Sequence, residues 1–158
     1  MSALSARPEY AEAWLDKGRA LVVRGRYREA EESLAGAFRL RYGLPSQSQR
    51  ELYKTYAQLL LRIGAGKLSE HDEEGAWTAM AVLRRIQIQA RIEGRARAVK
   101  AGLAEASEAF AVADPDTLRV LLEMLEDPWV GWTAASYIIG EQWPRGLSVV
   151  DAVRSARE

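Results

Sequence analysis

Apolar residues recur along most of this chain at intervals of three and four, the spacing of helices that bury one side. The pattern is sharpest between Glu12 and Leu40. Trp14 and Gly18 stand four apart, which puts an indole one turn from a bare stretch of backbone where a second helix can approach closely. Leu21 continues that face. Beyond Arg24-Gly25-Arg26, which reads as a turn, Tyr27, Ala30, Leu34 and Ala37 make a second stripe. Two helices of similar length, packed face to face, are expected.

Gly43-Leu44-Pro45 stops the second helix and leaves Ser46 or Ser48 to cap a third. That helix is expected to run to about Ile63, its Leu52, Tyr53, Tyr56, Leu59 and Leu60 covering a broad face. Residues 64–75, interrupted by Gly64, Gly66 and Gly75, read as a loop. From Ala76 to about Ala98 the chain is apolar all round, and Ile86 to Glu93 alternates with period two as a strand would. A lone strand would leave its backbone groups unpaired, so a helix is expected here too. Gly94 and Gly102 are candidate breaks before Val112. Asp114-Pro115 and Asp127-Pro128 each set a capping acid before a proline at the first helical position, and Trp143-Pro144 marks another boundary.

The first stretch resembles a tetratricopeptide repeat, with Trp14, Gly18, Gly25, Tyr27, Ala30, Leu34 and Ala37 in register. Lys17 stands where Leu is usual, Leu21 where Tyr is usual, and Tyr42 where a closing Pro belongs. Pro8 sits where a preceding repeat would end, so the chain is expected to begin at a repeat boundary. Ala57, Gly64, Ala76, Met80 and Leu83 resemble a second, degenerate copy with about seven residues inserted at its turn. From Asp127 the order Val130, Ala134, Ala135, Ile138, Ile139, Gly140 is similar to HEAT-like repeats, with Gly131 in place of the usual Arg. These resemblances imply an all-α fold, an α-α superhelix: a solenoid of antiparallel helix hairpins, tetratricopeptide-like and then HEAT-like. It would form a single domain over residues 1–158, with units at 9–42, 46–112 and 114–158.

Composition narrows the chemistry. A length of 158 residues suits one domain, and 22 basic against 22 acidic side chains leave no global field directed at nucleic acid or membrane. With no Cys there are no disulfides, thiolate nucleophiles or common structural zinc sites, and a single histidine, His71, excludes multi-His metal centres. Glu70, Asp72, Glu73 and Glu74 around His71 are the best place to seek a metal or an acid–base pair, though acids also suit the first turn of the next helix. Carboxylates recur at no catalytic spacing, so neither an enzyme nor a cofactor is expected. No apolar run reaches signal-peptide or membrane-spanning length, so the expectation is a cytoplasmic protein with no membrane partner.

Tetratricopeptide and HEAT-like families act mainly as interaction scaffolds, which implies a protein or peptide partner held in a groove. By analogy, the groove side of the first helix presents Glu12, Leu15, Arg19, Val22 and Val23, a mixture that suits an amphipathic segment. The chain has no Asn, so the Asn-dependent carboxylate clamp of some tetratricopeptide proteins is not expected. Trp129 and Trp132, three apart on one helix face, serve either as a hydrophobic anchor or as core. An alternative is nucleic-acid backbone binding through Arg84, Arg85, Arg91, Arg95, Arg97 and Lys100, set against Glu93 alone, although one helix spreads these over several faces. A narrower variant of the scaffold reading is a bacterial immunity-type protein that neutralises a toxin. Unpaired end helices also leave room for a homodimer.

Overall fold

The computed structural model describes residues 8–106, together with 119–120, 123–124, 126–131 and 133. Among these residues there are five α-helices and no strand: α1 (Pro8–Val23), α2 (Tyr27–Arg39), α3 (Ser46–Ser69), α4 (Glu73–Glu93) and α5 (Ala96–Glu105), with a 3-10 turn at Arg41–Gly43. The all-α expectation holds over this span. No described helix is long and apolar enough to cross a membrane.

The α1–α2 hairpin forms as the spacing requires. Ala30, Leu34 and Ala37 are fully buried on α2, and Ala11, Leu15 and Leu21 face them from α1. A methyl group at Gly18 would sit 2.5 Å from Leu34 Cδ2, so the missing side chain sets how closely the two helices approach. The Trp14 ring lies on Gly36 in the same way, 3.2 Å from where a Cβ would be.

Helix α3 is the centre of the fold, packed by α2, α4 and α5 and touched by α1. Eleven of its 24 residues are buried, and they are not confined to one stripe: Leu52, Tyr53, Leu59, Leu60 and Leu61 are 0–1 % exposed. At 1.5 Å per residue it is about 36 Å long. It begins without a side-chain cap, Pro45 rather than a serine preceding its first turn. It also outruns the expected end at Ile63. Gly64 is buried against Met80 and Ala79 of α4, and the helix continues to Ser69. The expected loop over 64–75 is therefore only Glu70-His71-Asp72, and the extra residues lengthen α3 by about two turns instead. A Gly that packs closely against a neighbouring helix can stay helical, because the contact offsets its poor propensity of about 1 kcal/mol.

Three helices end with the same backbone closure. The amide of Arg26 reaches Leu21 O (3.0 Å), that of Asp72 reaches Lys67 O (2.8 Å) and that of Arg95 reaches Ala90 O (2.7 Å). Each closure needs a left-handed residue just before the donor, and Gly25 and Gly94 supply it with φ near 75°. At the α3–α4 turn the position is held by His71, φ 60°. Asp72 then caps α4, its carboxylate accepting from Gly75 N at 2.9 Å. The alternating stretch 86–93 is helical: Ile86, Gln87 and Ala90 are buried against the other elements while Ile92 is 72 % exposed.

Of the two candidate breaks, Gly94 ends α4 and Gly102 interrupts nothing. Gly102 is where α5 presses on α3, and a Cβ there would overlap the carbonyl of Lys54. Lys54 Nζ also pairs with Glu105 at 2.8 Å. The described residues of 119–133 run beside α4 in its own direction. Arg119 pairs with Glu73 (2.8 Å), the Trp129 indole N–H donates to Ala81 O (3.3 Å), and Thr133 donates to Gln87 Oε1 (2.5 Å). Asp127 accepts from the amides of Trp129 and Val130, the expected opening of a helical turn. The boundaries at Asp114-Pro115 and Trp143-Pro144, and the HEAT-like positions Ala134 to Gly140, lie outside the described residues.

Candidate partner-binding cleft

A cleft of about 550 Å³ opens where α2 and α4 flank the middle of α3. Phe38 and Tyr56 supply aromatic surface, and Val82, Ile86 and Ile88 of α4 supply aliphatic surface. Phe38 is held edge-on to Tyr53 and Tyr56, with ring centroids at 5.4 and 5.8 Å, while the Arg41 guanidinium covers its face at 4.0 Å. Trp129 forms part of the wall, its indole N–H tied to Ala81 and its ring 5.7 Å from the Arg84 guanidinium. It remains 44 % exposed.

Two more guanidiniums line this apolar surface, Arg39 from α2 and Arg85 from α4. Among the described residues neither takes part in an ion pair or a hydrogen bond. They act on the same phenol. Burial, then the charge of Glu31, pushes the Tyr56 hydroxyl up to about 12, while Arg39 and Arg85 work in the opposite direction. Glu31 itself is held above the usual carboxylate range, chiefly by burial and then by neighbouring Glu32.

Arg41 is differently placed, because a carboxylate claims it. Its Nε lies 3.1 and 3.2 Å from the two oxygens of Glu93, and Nη2 lies 2.7 Å from Oε2. Tyr42 donates to Oε2 at 3.0 Å and Tyr53 to Oε1 at 2.8 Å. Nη1 of Arg41 donates to Phe38 O at 2.9 Å. This clasp fixes the end of α2, the 3-10 turn, α3 and the last residue of α4 in one arrangement. Arg41's hydrogen bonds hold the Glu93 carboxyl below its usual range, with burial opposing and Tyr53 and Tyr42 assisting. Burial and donation to Glu93 push the Tyr53 hydroxyl upward.

The residues singled out from sequence do not gather on one face. Leu15 is 2 % exposed and belongs to the core, so it cannot be presented to a partner. Val22 packs against that core, Glu12 accepts from Ser48 Oγ at 3.2 Å, and Arg19 and Val23 are exposed, Val23 at 88 %. Trp132 lies outside the described residues, and Trp129 lines the cleft. Of the basic set, Arg84 lies by Trp129, Arg85 is at the cleft, and Arg95 donates to Gln49 Oε1 at 3.3 Å. Arg91, Arg97 and Lys100 are exposed on α4 and α5. Among the described residues no three His, Asp or Glu side chains come together as a metal site, and two of the acids by His71 are in use: Asp72 caps α4 and Glu73 pairs with Arg119.

Spacing does not single out Phe38, Arg39, Arg41, Tyr42 or Tyr53 as site residues. One signal points toward the Arg41 clasp. Glu93 is a lone acid in a basic run and ends a helix, where the dipole disfavours a negative charge, so it needs a cationic partner from elsewhere in the chain. No protein-family model, curated protein or solved structure matches the chain.

Proposed function

We propose that the chain is a non-enzymatic, cytoplasmic interaction module that docks a protein or peptide partner in the cleft between α2 and α4. The observation that carries this reading is the cleft itself: an aromatic and aliphatic surface with Trp129 in its wall and two guanidiniums that have no partner among the described residues. Partner surfaces are enriched in Trp, Tyr and Arg because each combines a large contact area with a directed polar group. The resemblance to helical repeats supports the same reading, with α1–α2 and α3–α4 as two hairpins that meet through α2 and α3. The groove side expected on α1 is left with Arg19 and Val23 exposed and Leu15 removed to the core.

Site-specific cross-linking tests it. With p-benzoylphenylalanine placed at Ile88 or, as a remote control, at Lys100 of the full chain, ultraviolet irradiation in native extract should give a discrete adduct from Ile88. Arg85→Glu should suppress that adduct. Identical adducts from both positions, or none from Ile88, would refute the assignment.

A further inference from the structure

Among the described residues five cations meet acids of the chain itself, Lys67 reaching Asp72 at 3.6 Å and the other four lying closer. Arg26 has Glu29 (2.6 Å), Arg41 has Glu93 (2.7 Å), Lys54 has Glu105 (2.8 Å) and Arg119 has both Glu73 and Glu123 (2.8 Å each). Acids are as numerous as bases in the sequence, 22 of each, so the supply is not short. Arg39 and Arg85 are among the exposed cations that form no such pair; they come from different helices, line the same cleft and both bear on the Tyr56 hydroxyl. Glu31, which also acts on Tyr56, couples to Glu32 and Lys67 and forms no ion pair with either arginine. Two planar donor forks and a phenol therefore share an opening whose described lining contains no carboxylate, and aromatic and aliphatic side chains lie directly beside them.

The geometry points to a carboxylate-bearing occupant: we infer that Arg39 and Arg85 receive an Asp or Glu of an acidic, amphipathic partner segment, and that its neighbouring Leu, Phe or Trp packs on Phe38, Ile86 and Trp129. The inference rests on the docking role proposed for the cleft and adds the chemistry of what docks. Guanidinium forks match carboxylates bidentately, and such charge-assisted bonds are about twice as strong as neutral ones. The apolar half supplies the burial that a surface ion pair alone lacks. The arginines should also speed encounter with an acidic segment, an effect that salt would screen. This surface belongs to α2 and α4, apart from the α1 side suggested by repeat resemblance.

Selection from a random dodecapeptide display library against the full chain provides the test, with Arg39→Ala/Arg85→Ala as the second bait. The wild type should enrich peptides carrying Asp or Glu within one helical turn of Leu, Phe or Trp. A synthetic peptide of the enriched sequence should bind the double variant at least about tenfold more weakly, and its Glu→Gln version should lose a similar factor on the wild type. An unchanged circular dichroism spectrum and melting temperature will show that the double variant folds. Enriched peptides without acids, the same acidic peptides on both baits, or no enrichment at all would each overturn the inference. So would a concentration-dependent dimer abolished by the double substitution, because the occupant would then be a second copy. If selection fails while the Ile88 cross-link to a partner persists, the docking role stands and only the carboxylate assignment falls.

Discussion

Replacing Glu93 by Gln removes one charge and leaves the shape of the side chain almost unchanged. In the native protein this carboxylate accepts from Arg41 through Nε and Nη2 and from the hydroxyls of Tyr42 and Tyr53. The Arg41 and Glu93 side chains are each only 12 % exposed. A glutamine in this place would keep one carbonyl acceptor and turn an NH2 group toward donors, leaving the Arg41 charge without its counter-ion. Losing one member of a buried pair costs about 3–5 kcal/mol, and each hydrogen bond to a charged group contributes about 1.5–3 kcal/mol. Since the clasp is not sealed from water, Glu93→Gln should destabilise by about 2–4 kcal/mol. Urea unfolding followed by far-ultraviolet circular dichroism measures this at neutral pH. The pH dependence supplies a second signature. Glu93 has a folded-state pKa depressed below its usual 4.5, so its contribution is complete above that value and is lost as pH falls through the lower, folded-state value. The gap between wild type and variant should stay constant from neutral pH to about pH 5 and narrow below that. A gap under about 1 kcal/mol at neutral pH, or one that persists unchanged at the most acid pH where both proteins fold, would refute the reasoning.

Gly102→Ala drives a methyl group into the Lys54 backbone and should cost about 1–3 kcal/mol in the same urea assay, with α5 the first helix to lose amide-exchange protection; a change within about 0.5 kcal/mol would contradict the close contact. His71→Gly should stabilise by about 0.5–1 kcal/mol, because φ 60° suits glycine; a loss of stability would show that the histidine side chain contributes more than its backbone strain costs. Leu34→Ala, at a fully buried position, should cost about 2–5 kcal/mol, whereas Val23→Ser, at 88 % exposure, should stay within about 0.5 kcal/mol, both read from urea midpoints.

The α1–α2 hairpin is legible in the sequence because its signal is local. Small residues at 18, 30 and 37 and large ones between them leave little choice of which faces meet. The α3–α4 region is harder to read. Gly64 and Gly66 look like breakers in one dimension, and only the approach of α4 shows why the helix passes through Gly64. The period-two alternation from Ile86 to Glu93 yields to a helix, in keeping with the absence of a strand to pair with it among the described residues. The cleft combines residues that no spacing rule connects: Phe38 and Arg39 from the end of α2, Tyr56 from mid-α3, Arg85 from α4 and Trp129. From sequence, Trp129 reads as either a hydrophobic anchor or core, and Arg85 as a phosphate contact only in the alternative reading, and only the fold brings them to the same cleft. Leu15 departs from its expected place because the groove positions come from a repeat pattern. Here that position points into the hairpin.

The central place of α3 has a kinetic consequence. In a stack where each element touches only its two neighbours, end units can fray one at a time while the rest persists. Helix α3 meets α1, α2, α4 and α5, so opening it releases all four at once. Its middle amides, around Leu59 to Leu61, should then exchange with solvent only through global unfolding and report the full stability of the domain. The outer turns of α1 and α5 should exchange earlier through local opening. The described helices should therefore unfold as a single cooperative unit with a loose perimeter, and the cleft between α2 and α4, floored by α3, should keep its shape until they open together.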